Sequence, residues 1–293
     1  MSRIALVTDS TACLSAETAF DLGVTAVPLE VIVRGAPHSE ADPETGALLV
    51  AALRSHETAT TSRPSPEDFA AAYRAAAVRG AEGVVSLHIS AELSATLESA
   101  ELAAKDSPIP VRVLDSRTIG MALGFAVLAA AEAGRDGEHD LDAVAEVAAK
   151  RSATASAFFY VDTLEYLRRG GRMGAAAALL GSALAVKPIL KVDGGRIGPF
   201  ERVRTSGKAL GRLEELAVEA AGSHEVEVAV AHLASPDRAA TLAERLGARL
   251  ADGLGPRSVV VGEIGAVLGA HVGPGMVAVC VARRSTHSDP PGD

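Results

Sequence analysis

The stretch Ile4-Ala5-Leu6-Val7-Thr8-Asp9-Ser10-Thr11 decides the fold, because a short apolar run ends there in a polar turn. An apolar run bounded by a turn is typical of a buried strand. A helix is predicted next, beginning at Ser15, whose hydroxyl can cap the first turn, and ending at Leu22 before Gly23. We therefore predict a strand, a turn and a helix at the N-terminus.

The same alternation continues through the first half of the chain. Apolar runs at Val84 to His88 and Val111 to Leu114 are each followed by a polar turn and a helical stretch. Pro64 and Pro66 exclude regular structure around them and lead into a further helix. This pattern predicts an α/β fold, a mainly parallel sheet with helices on both faces, with sites just beyond the carboxyl ends of the strands.

The second half changes character near residue 155 and indicates a separate α+β sheet domain. Asp193-Gly194 predicts a tight hairpin turn, because glycine supplies the positive φ that such a turn needs. A helix is predicted over Gly174 to Val186, which is rich in Ala and Leu. The predicted strands are Phe158 to Val161, Pro188 to Val192, Arg196 to Val203, Val226 to Ala231, Val259 to Val261 and Met276 to Val281. We predict an N-terminal α/β domain over 1–155, a C-terminal α+β domain over 156–283 and a disordered tail over 284–293.

Composition disfavours several classes of protein. The chain has 293 residues, of which 48% are hydrophobic and 22% charged, as in a globular protein with a sizeable core. The formal net charge of −9 disfavours nucleic-acid binding, which needs a cationic surface. Cys13 and Cys280 match no metal or redox spacing, so we expect two reduced, buried thiols. With no signal peptide and no run of about 20 apolar residues, a cytoplasmic protein is expected.

The sequence lacks the common signatures of catalysis. Ser206-Gly207-Lys208 resembles the end of a phosphate-binding loop, but Ala209 stands where Ser or Thr would follow. No Ser lies in a G-x-S-x-G turn, and the histidines show no metal-ligand spacing. We therefore predict no metal and no nucleotide cofactor.

Hydroxyl side chains recur at predicted strand ends and helix starts. They are Ser10, Thr11, Thr61, Ser62, Ser90, Ser94 and Ser116. A single hydroxyl beside a helix N-terminus is often a cap and nothing more. Several that meet at one sheet edge, together with backbone N–H donors, can hold an anion such as a carboxylate. An aliphatic tail on that carboxylate would then need an apolar tunnel.

Seven segments in order along the chain resemble the landmarks of the DegV family. They are Asp9-Ser10-Thr11, Thr61-Ser62-Arg63-Pro64-Ser65-Pro66, Ile89 to Thr96, Thr163 to Arg172, Lys187-Pro188-Ile189-Leu190 with Asp193-Gly194, Val203-Arg204-Thr205 with Lys208-Ala209-Leu210, and His271-Val272-Gly273-Pro274-Gly275. One such segment would be a weak signal, but seven in register, spread from residue 3 to about 283, form a specific one.

This resemblance implies a protein similar to the fatty-acid-binding subunit of a bacterial fatty acid kinase. One long-chain fatty acid would be held between the two domains. The implied head-group site consists of Thr61 and Ser94, as carboxylate contacts, with His271, Arg172, Ser10, Ser62 and Ser90 around them. The fatty acid is then the ligand, and no cofactor is expected.

The resemblance also implies partners. A separate ATP-dependent kinase, similar to dihydroxyacetone kinases, would phosphorylate the carboxylate while the fatty acid stays bound. The chain would be a non-catalytic, lipid-binding subunit that delivers acyl phosphate to phospholipid synthesis through transient membrane contact. Arg172, Arg202 and Arg204 are candidates for meeting the kinase-bound nucleotide or an anionic lipid head group.

The chain departs from the family pattern at Ser94-Ala95-Thr96-Leu97, where Ser-Gly-Thr-Tyr is usual. The backbone must accept a Cβ at Ala95, and Leu97 in place of Tyr reshapes the pocket, so acyl length and saturation stay open. Small apolar side chains for the tail are expected from the helices Gly174 to Val186 and Met121 to Ala133.

Two other functions stay open at this point. The first is a carrier or sensor of another lipid, which the sequence does not distinguish from a fatty acid carrier. The second is an esterase-like enzyme with Ser94 as nucleophile and His271 as base, for which no orienting acid and no strained nucleophile turn can be identified.

Overall fold

The computed structural model describes residues 4–135, 137, 139–179 and 187–284. Most of the predicted C-terminal tail and residues 180–186 of the predicted Ala/Leu-rich helix lie outside these residues. Within the described ranges, no helix is long and apolar enough to cross a bilayer.

The first half alternates strands and helices as predicted. In chain order the elements are β1 (Ile4–Asp9), α1 (Ala16–Leu22), β2 (Val24–Val27), β3 (Glu30–Val33), β4 (Ala36–Ser39), α2 (Thr45–Arg54), β5 (Ala59–Ser62), α3 (Pro66–Val78), β6 (Gly83–His88), α4 (Thr96–Ala104), β7 (Val111–Asp115), α5 (Met121–Arg135) and α6 (Leu141–Ala153). The cap predicted at Ser15 is present, because its side chain accepts the N–H of Thr18 at 3.0 Å. Gly23 ends α1 with φ +67°, the left-handed conformation that glycine favours.

The large sheet of the first half is parallel, in the order β2-β1-β6-β7. Side chains alternate across it, so Leu6 packs against α5 and α6 on one face, whereas Val7 packs against α3 and α4 on the other. Because both faces are covered, the strands can be apolar along their whole length. The predicted parallel sheet with helices on both faces is confirmed.

The second half is built around a mixed sheet. Its elements are β8 (Ala155–Tyr160), α7 (Glu165–Arg169), a 3₁₀-helix (Gly174–Leu179), β9 (Lys187–Asp193), β10 (Arg196–Val203), α8 (Ser206–Ala221), β11 (Val226–His232), α9 (Pro236–Arg249), α10 (Ala251–Leu254), β12 (Val260–Glu263), α11 (Ala266–Val272) and β13 (Val277–Arg283). The strand order is β10-β9-β8-β13-β11-β12, with β11 and β12 parallel and the other pairs antiparallel.

Two local predictions in this half have different outcomes. The β9–β10 hairpin is confirmed, and its two-residue loop has φ +56° at Gly194 and +86° at Gly195. The α-helix predicted from Gly174 is wrong for the described part, which is a 3₁₀-helix over Gly174–Leu179. Gly174 has φ +47°, and its backbone lies so close to the carbonyl of Ile197 that a Cβ would overlap it. Tertiary packing has overridden the helix propensity of the alanines there.

A third, smaller sheet connects the two halves. It has the order β4-β3-β5 and is antiparallel. Together with α2 it packs against α11, where Val31 and Leu49 contact Ala266 and Ala270 in one apolar cluster. The chain over 24–33 is therefore divided between two sheets, with β2 in the parallel sheet and β3 in the small one. The predicted domain boundary at residue 155 stays a prediction.

Candidate functional site

A cavity of about 280 Å³ lies where the loops beyond the carboxyl ends of the parallel strands face the mixed sheet. Its walls come from the loops after β6 and before α5, from β8, β10 and β13, and from α11. Most of the lining is apolar, for example Leu93, Ile119, Phe159, Val192, Ile264 and Met276. Its size is close to the lower end for small-molecule sites, roughly 300 Å³.

The polar side chains of the cavity wall are concentrated in one group. They are Thr61, Ser62, Arg63, Ser94, Arg172 and His271. Arg63 is exposed and the other five are half-buried, whereas Phe159, Leu167 and Met276 on the apolar wall are buried. The cavity therefore has a polar end that reaches the surface and an apolar end enclosed by protein.

Thr61 and His271 form the central contact of the polar end. Thr61 lies on β5 and His271 on α11, and Oγ1 of Thr61 is 3.0 Å from Nε2 of His271. Burial, and secondarily the charge of Arg172, lower the pKa of His271 from 6.5 to about 4, so the ring is neutral near pH 7. Its Nδ1 is buried and has no hydrogen-bond partner among the described residues.

These contacts decide the tautomer that we assign to His271. A proton on Nδ1 would leave a buried N–H unsatisfied, which native structures rarely tolerate. With the proton on Nε2 instead, the ring donates to Thr61 Oγ1. The hydroxyl hydrogen of Thr61 is then free to donate to another acceptor.

Ser94 lies in the loop that precedes α4. Its Oγ is 2.8 Å from Oγ1 of Thr96, and it accepts the N–H of Thr96 at 3.3 Å. The helix α4 begins two residues later, at Thr96, so Ser94 lies where the loop after β6 enters the helix. Ala95 has φ −80° and ψ 20°, which any L-residue adopts, so the backbone accepts the Cβ without strain. Leu97 does not line the cavity.

Arg172 supplies the positive charge that acts on His271. Its guanidinium donates to two carbonyl oxygens, from Nε to Leu93 at 3.1 Å and from Nη1 to Gly170 at 2.6 Å. Both of these acceptors are neutral, and within the described residues no carboxylate pairs with Arg172. An anion in the cavity would provide that missing partner.

Gly170 allows Arg172 and His271 to share this wall. A Cβ at position 170 would overlap Nδ1 of the His271 ring. The sequence did not identify this role, although the Gly170-Gly171 pair was visible in it.

Arg63 was likewise not predicted as a site residue. It donates to the carbonyl of Ala95 at 3.2 Å and to Glu98 at 3.0 Å.

The structure brings five of the seven predicted site residues to the cavity wall. They are Thr61, Ser62, Ser94, Arg172 and His271. Ser90 is buried away from the wall and donates to the carbonyl of Gly195 at 2.8 Å. Ser10 donates to the carboxylate of Glu40 and accepts the N–H of Leu29 at 3.0 Å. Both hydroxyls follow a strand as predicted, but each supports the protein framework.

The apolar end differs in part from the expected tunnel. Of the helix predicted to line the tail, Met121 contacts the cavity, whereas Leu123 and Val127 pack against the parallel sheet. Cys280 also lines the cavity, and burial raises its pKa to about 11, so the thiol stays protonated. Among the described residues, no group of three His, Cys, Asp or Glu side chains is arranged to hold a metal ion.

Comparison with known proteins identifies relatives over almost the whole chain. The family model described as "Uncharacterised protein, DegV family COG1307" matches residues 3–284. A DegV domain-containing protein of Streptomyces coelicolor is 53% identical over 285 residues, which cover 97% of this chain and 100% of that protein. Protein DegV of Bacillus subtilis is 35% identical over 284 residues, which cover 95% and 98%.

Solved structures show the same fold. A fatty-acid-binding DegV family protein from Thermus thermophilus superimposes with a TM-score of 0.88 at 36% identity, covering 97% of this chain and 100% of its own. DegV from Bacillus subtilis, described as a fatty acid binding protein, gives 0.87 at 33% identity with the same coverage. A stearic-acid-binding protein from Eubacterium ventriosum gives 0.84 at 26% identity, covering 97% and 98%.

Proposed function

This chain belongs to the DegV family, and on that premise we propose that it binds one long-chain fatty acid in the cavity. The observation that carries the proposal is the division of the cavity into a half-buried polar end and an enclosed apolar end. A fatty acid has the same division, with a carboxylate at one end and an aliphatic chain behind it. The relatives described as fatty-acid-binding proteins support the same ligand.

The carboxylate would be held by hydroxyls and one cation. An ionised carboxylate only accepts hydrogen bonds, and Thr61 has a free hydroxyl hydrogen when His271 donates to it. Ser94 offers a second hydroxyl, and Ser62 lies beside Thr61 on the same strand. Arg172 supplies the charge that an anion needs in a partly buried site.

The acyl tail would supply most of the affinity. Each buried methylene contributes about 0.8 kcal/mol, so roughly a dozen would contribute on the order of 10 kcal/mol before ordering costs. Apolar side chains are available for these contacts from the loop after β6, from β8 and from the residue before β13, namely Leu93, Phe159 and Met276. Head-group contacts then fix the orientation of the ligand, and the tail supplies the strength of binding.

The position of the polar end supports a role in presenting the carboxylate to a partner. Thr61, Ser94 and Arg172 are half-buried, so an oxygen held between them can be reached from outside while the tail stays enclosed. We propose that an ATP-dependent kinase binds over this end. One carboxylate oxygen would attack the γ-phosphorus of ATP, ADP would leave, and acyl phosphate would remain in the cavity. Transient contact with a membrane would then exchange the lipid.

The geometry gives less support to an esterase-like reaction. Ser94 Oγ is bonded to Thr96 Oγ1 at 2.8 Å, whereas Nε2 of His271 is bonded to Thr61. Within the described residues, therefore, no hydrogen bond joins the proposed nucleophile to the proposed base. A nucleophilic serine needs that contact for activation. A different lipid with a carboxylate and an aliphatic chain fits the same cavity and is an outcome of the test below.

The test is organic extraction of the purified protein followed by mass spectrometry, for the wild type and for a Thr61→Ala/Ser94→Ala double variant. We expect a stoichiometric fatty acid in the wild type and its loss in the variant. A Ser107→Ala/Thr241→Ala variant is the control, because these hydroxyls bond to the backbone carbonyls of Ile109 and Asp237 and do not line the cavity. A wild type without lipid, even after incubation with palmitate or oleate, would exclude the proposal. Another carboxylated lipid would replace the fatty acid in it.

A further inference from the structure

Glu40 caps α11 from a distant part of the chain. It follows β4, and its Oε1 accepts the N–H of Val267 in the first turn of α11 at 2.8 Å. The N-cap of this helix is Gly265, which has no side chain with which to cap it. A Cβ at Gly265 would overlap the carboxyl group of Glu40, so the glycine makes room for the carboxylate. The second oxygen of Glu40 accepts the hydroxyl of Ser10.

His271 lies near the last residue of α11, and the small sheet β4-β3-β5 contacts this end of the helix as well. Thr61, which bonds to His271, lies on β5, and Glu40 follows β4. Both strands pair with β3, with Val31 opposite His38 and Thr61. One three-stranded sheet therefore contacts α11 near its first residue and near its last.

The environment of Glu40 is unusual for a carboxylate. Within the described residues no basic side chain pairs with it, and the charged group that faces it, Asp9, has the same sign. Burial raises its pKa, and its stabilising contacts are the hydroxyl of Ser10 and the amide of Val267. A half-buried carboxylate without a cation is costly to keep, so the contacts that it makes with Ser10 and Val267 have to offset that cost.

We infer that Glu40 is a positioning residue for the head-group site, because it fixes α11 so that His271 stays against Thr61. This inference rests on the proposed function, in which Thr61 keeps its hydroxyl hydrogen for the carboxylate because His271 donates to Thr61. Ser10 contributes to this arrangement through its hydrogen bond to Glu40. It can therefore support the head-group site although it lies outside the cavity.

The first measurement is a titration of the full chain, freed of lipid, with palmitate. We expect Glu40→Ala to weaken binding roughly tenfold, the scale of losing one helix cap. Glu40→Gln keeps an oxygen for the Val267 amide, so its affinity should stay within about threefold of the wild type. Asp140→Ala is the matched control, because it removes a carboxylate cap from α6 that accepts the N–H of Ala143 at 2.8 Å, away from the cavity. Its affinity should not change.

The second measurement follows the His271 ring by NMR in the lipid-free chain, with His271→Gln to assign the signal. Arg172 is the charged group that faces the ring, and burial is the main cause of its low pKa. If Glu40→Ala releases α11, water reaches the ring and its pKa rises from about 4 toward 6.5. Glu40→Gln should leave it unchanged.

These outcomes separate the inference from the proposed function. If the wild type binds palmitate and Glu40→Ala changes neither the affinity nor the pKa of His271, the role of Glu40 is overturned and the proposed function stands. A Glu40→Gln variant as weak as Glu40→Ala would also overturn it, because cap geometry would then not be the cause. If the wild type binds no palmitate, the proposed function fails, and the NMR titration still decides whether Glu40 positions His271.

Discussion

The two ends of the cavity are built in different ways. The polar end depends on single contacts between distant parts of the chain, since Thr61 and His271 are 210 positions apart, and Arg172 lies 79 positions from the carbonyl that it contacts. The apolar end is lined by many side chains from the mixed sheet, from α11 and from the loops beyond the parallel strands, and each of them supplies a small part of the contact. The polar end should therefore be sensitive to single substitutions and the apolar end tolerant of them.

Gly170→Ala should have the largest effect, because one methyl group disturbs two contacts of the polar end. The added Cβ overlaps His271, and the carbonyl that anchors Arg172 belongs to the same residue. We expect palmitate affinity to fall roughly a hundredfold, the scale of losing two hydrogen bonds. The measurement is a binding titration, with Gly211→Ala on α8 as control, since a Cβ there meets nothing within 4 Å. Equal affinities in the two variants would show that the polar end is not sensitive in this way.

Arg172→Met should weaken binding less, by about thirtyfold, because a charge-assisted hydrogen bond contributes on the order of 2 kcal/mol. The substitution keeps much of the aliphatic stem and removes the guanidinium. It should also raise the pKa of His271, which the charge of Arg172 helps to lower. Binding titrations and NMR of the ring measure the two effects separately. If affinity is unchanged, the carboxylate does not lie near Arg172.

Acid should destabilise the lipid-free chain through His271. The pKa of the ring is about 4 in the folded chain and 6.5 without the effects of folding, so between these values the unfolded state binds more protons. Above pH 6.5 the ring is neutral in both states, and the free energy of unfolding is not reduced. As the pH falls from 6.5 toward 4, the unfolded state takes up a proton that the folded state does not, so the free energy of unfolding decreases. At pH 5.5 the unfolding equilibrium should shift about tenfold toward the unfolded state.

Comparison with His271→Gln isolates this effect. The raised pKa of Glu40 changes stability with pH in the opposite direction, but it is present in both proteins and cancels in their difference. Urea unfolding at pH 7.5 and pH 5.5 gives the four free energies that are required. Parallel losses in wild type and variant would mean that His271 is not held neutral by the fold.

Met121→Ala and Met276→Ala address the apolar end, and each should weaken palmitate binding only about threefold. Both side chains are buried and both line the cavity, but neighbouring apolar side chains retain most of the tail contact. Met173→Ala is the control, because Met173 is buried in the same apolar cluster as Met276 and does not line the cavity. A hundredfold loss at either cavity position would remove the distinction between the two ends.

The same distinction explains what could be predicted from the sequence. Ile4 to Thr11 and its counterparts predict the parallel sheet because a strand followed by a capped helix is encoded locally. The resemblance to the family indicated Thr61 and Ser94, which line the cavity. The role of Gly170 could not be predicted, since it depends on the approach of a ring 101 residues further along the chain (271 minus 170). Glu40 gave no signal for the same reason.

Ser10, Ser90 and Ser94 show where local pattern stops being informative. Ser10 and Ser90 come just after strands of the parallel sheet and Ser94 lies further along the loop after β6, but all three are hydroxyls between a strand and a helix, and the sequence does not distinguish their roles. Only the tertiary structure turns Ser94 toward the cavity, Ser90 toward the carbonyl of Gly195 and Ser10 toward Glu40. A pattern of hydroxyls thus predicts the region of the site but not its members.

Ser90→Ala should have the smallest effect on binding and distinguishes a wall residue from a supporting one. The hydroxyl donates to Gly195 at 2.8 Å and accepts the N–H of Glu92 at 3.2 Å, so its loss should lower the free energy of unfolding by about 1 kcal/mol. Palmitate affinity should stay within about twofold of the wild type, the ordinary scatter for a residue without ligand contact. Ser94→Ala, four positions away on the same loop, is the matched comparison and should bind more weakly at similar stability. If Ser90→Ala loses as much affinity as Ser94→Ala, then the loop acts as one unit, and the sensitivity of the polar end belongs to its backbone and not to its individual side chains.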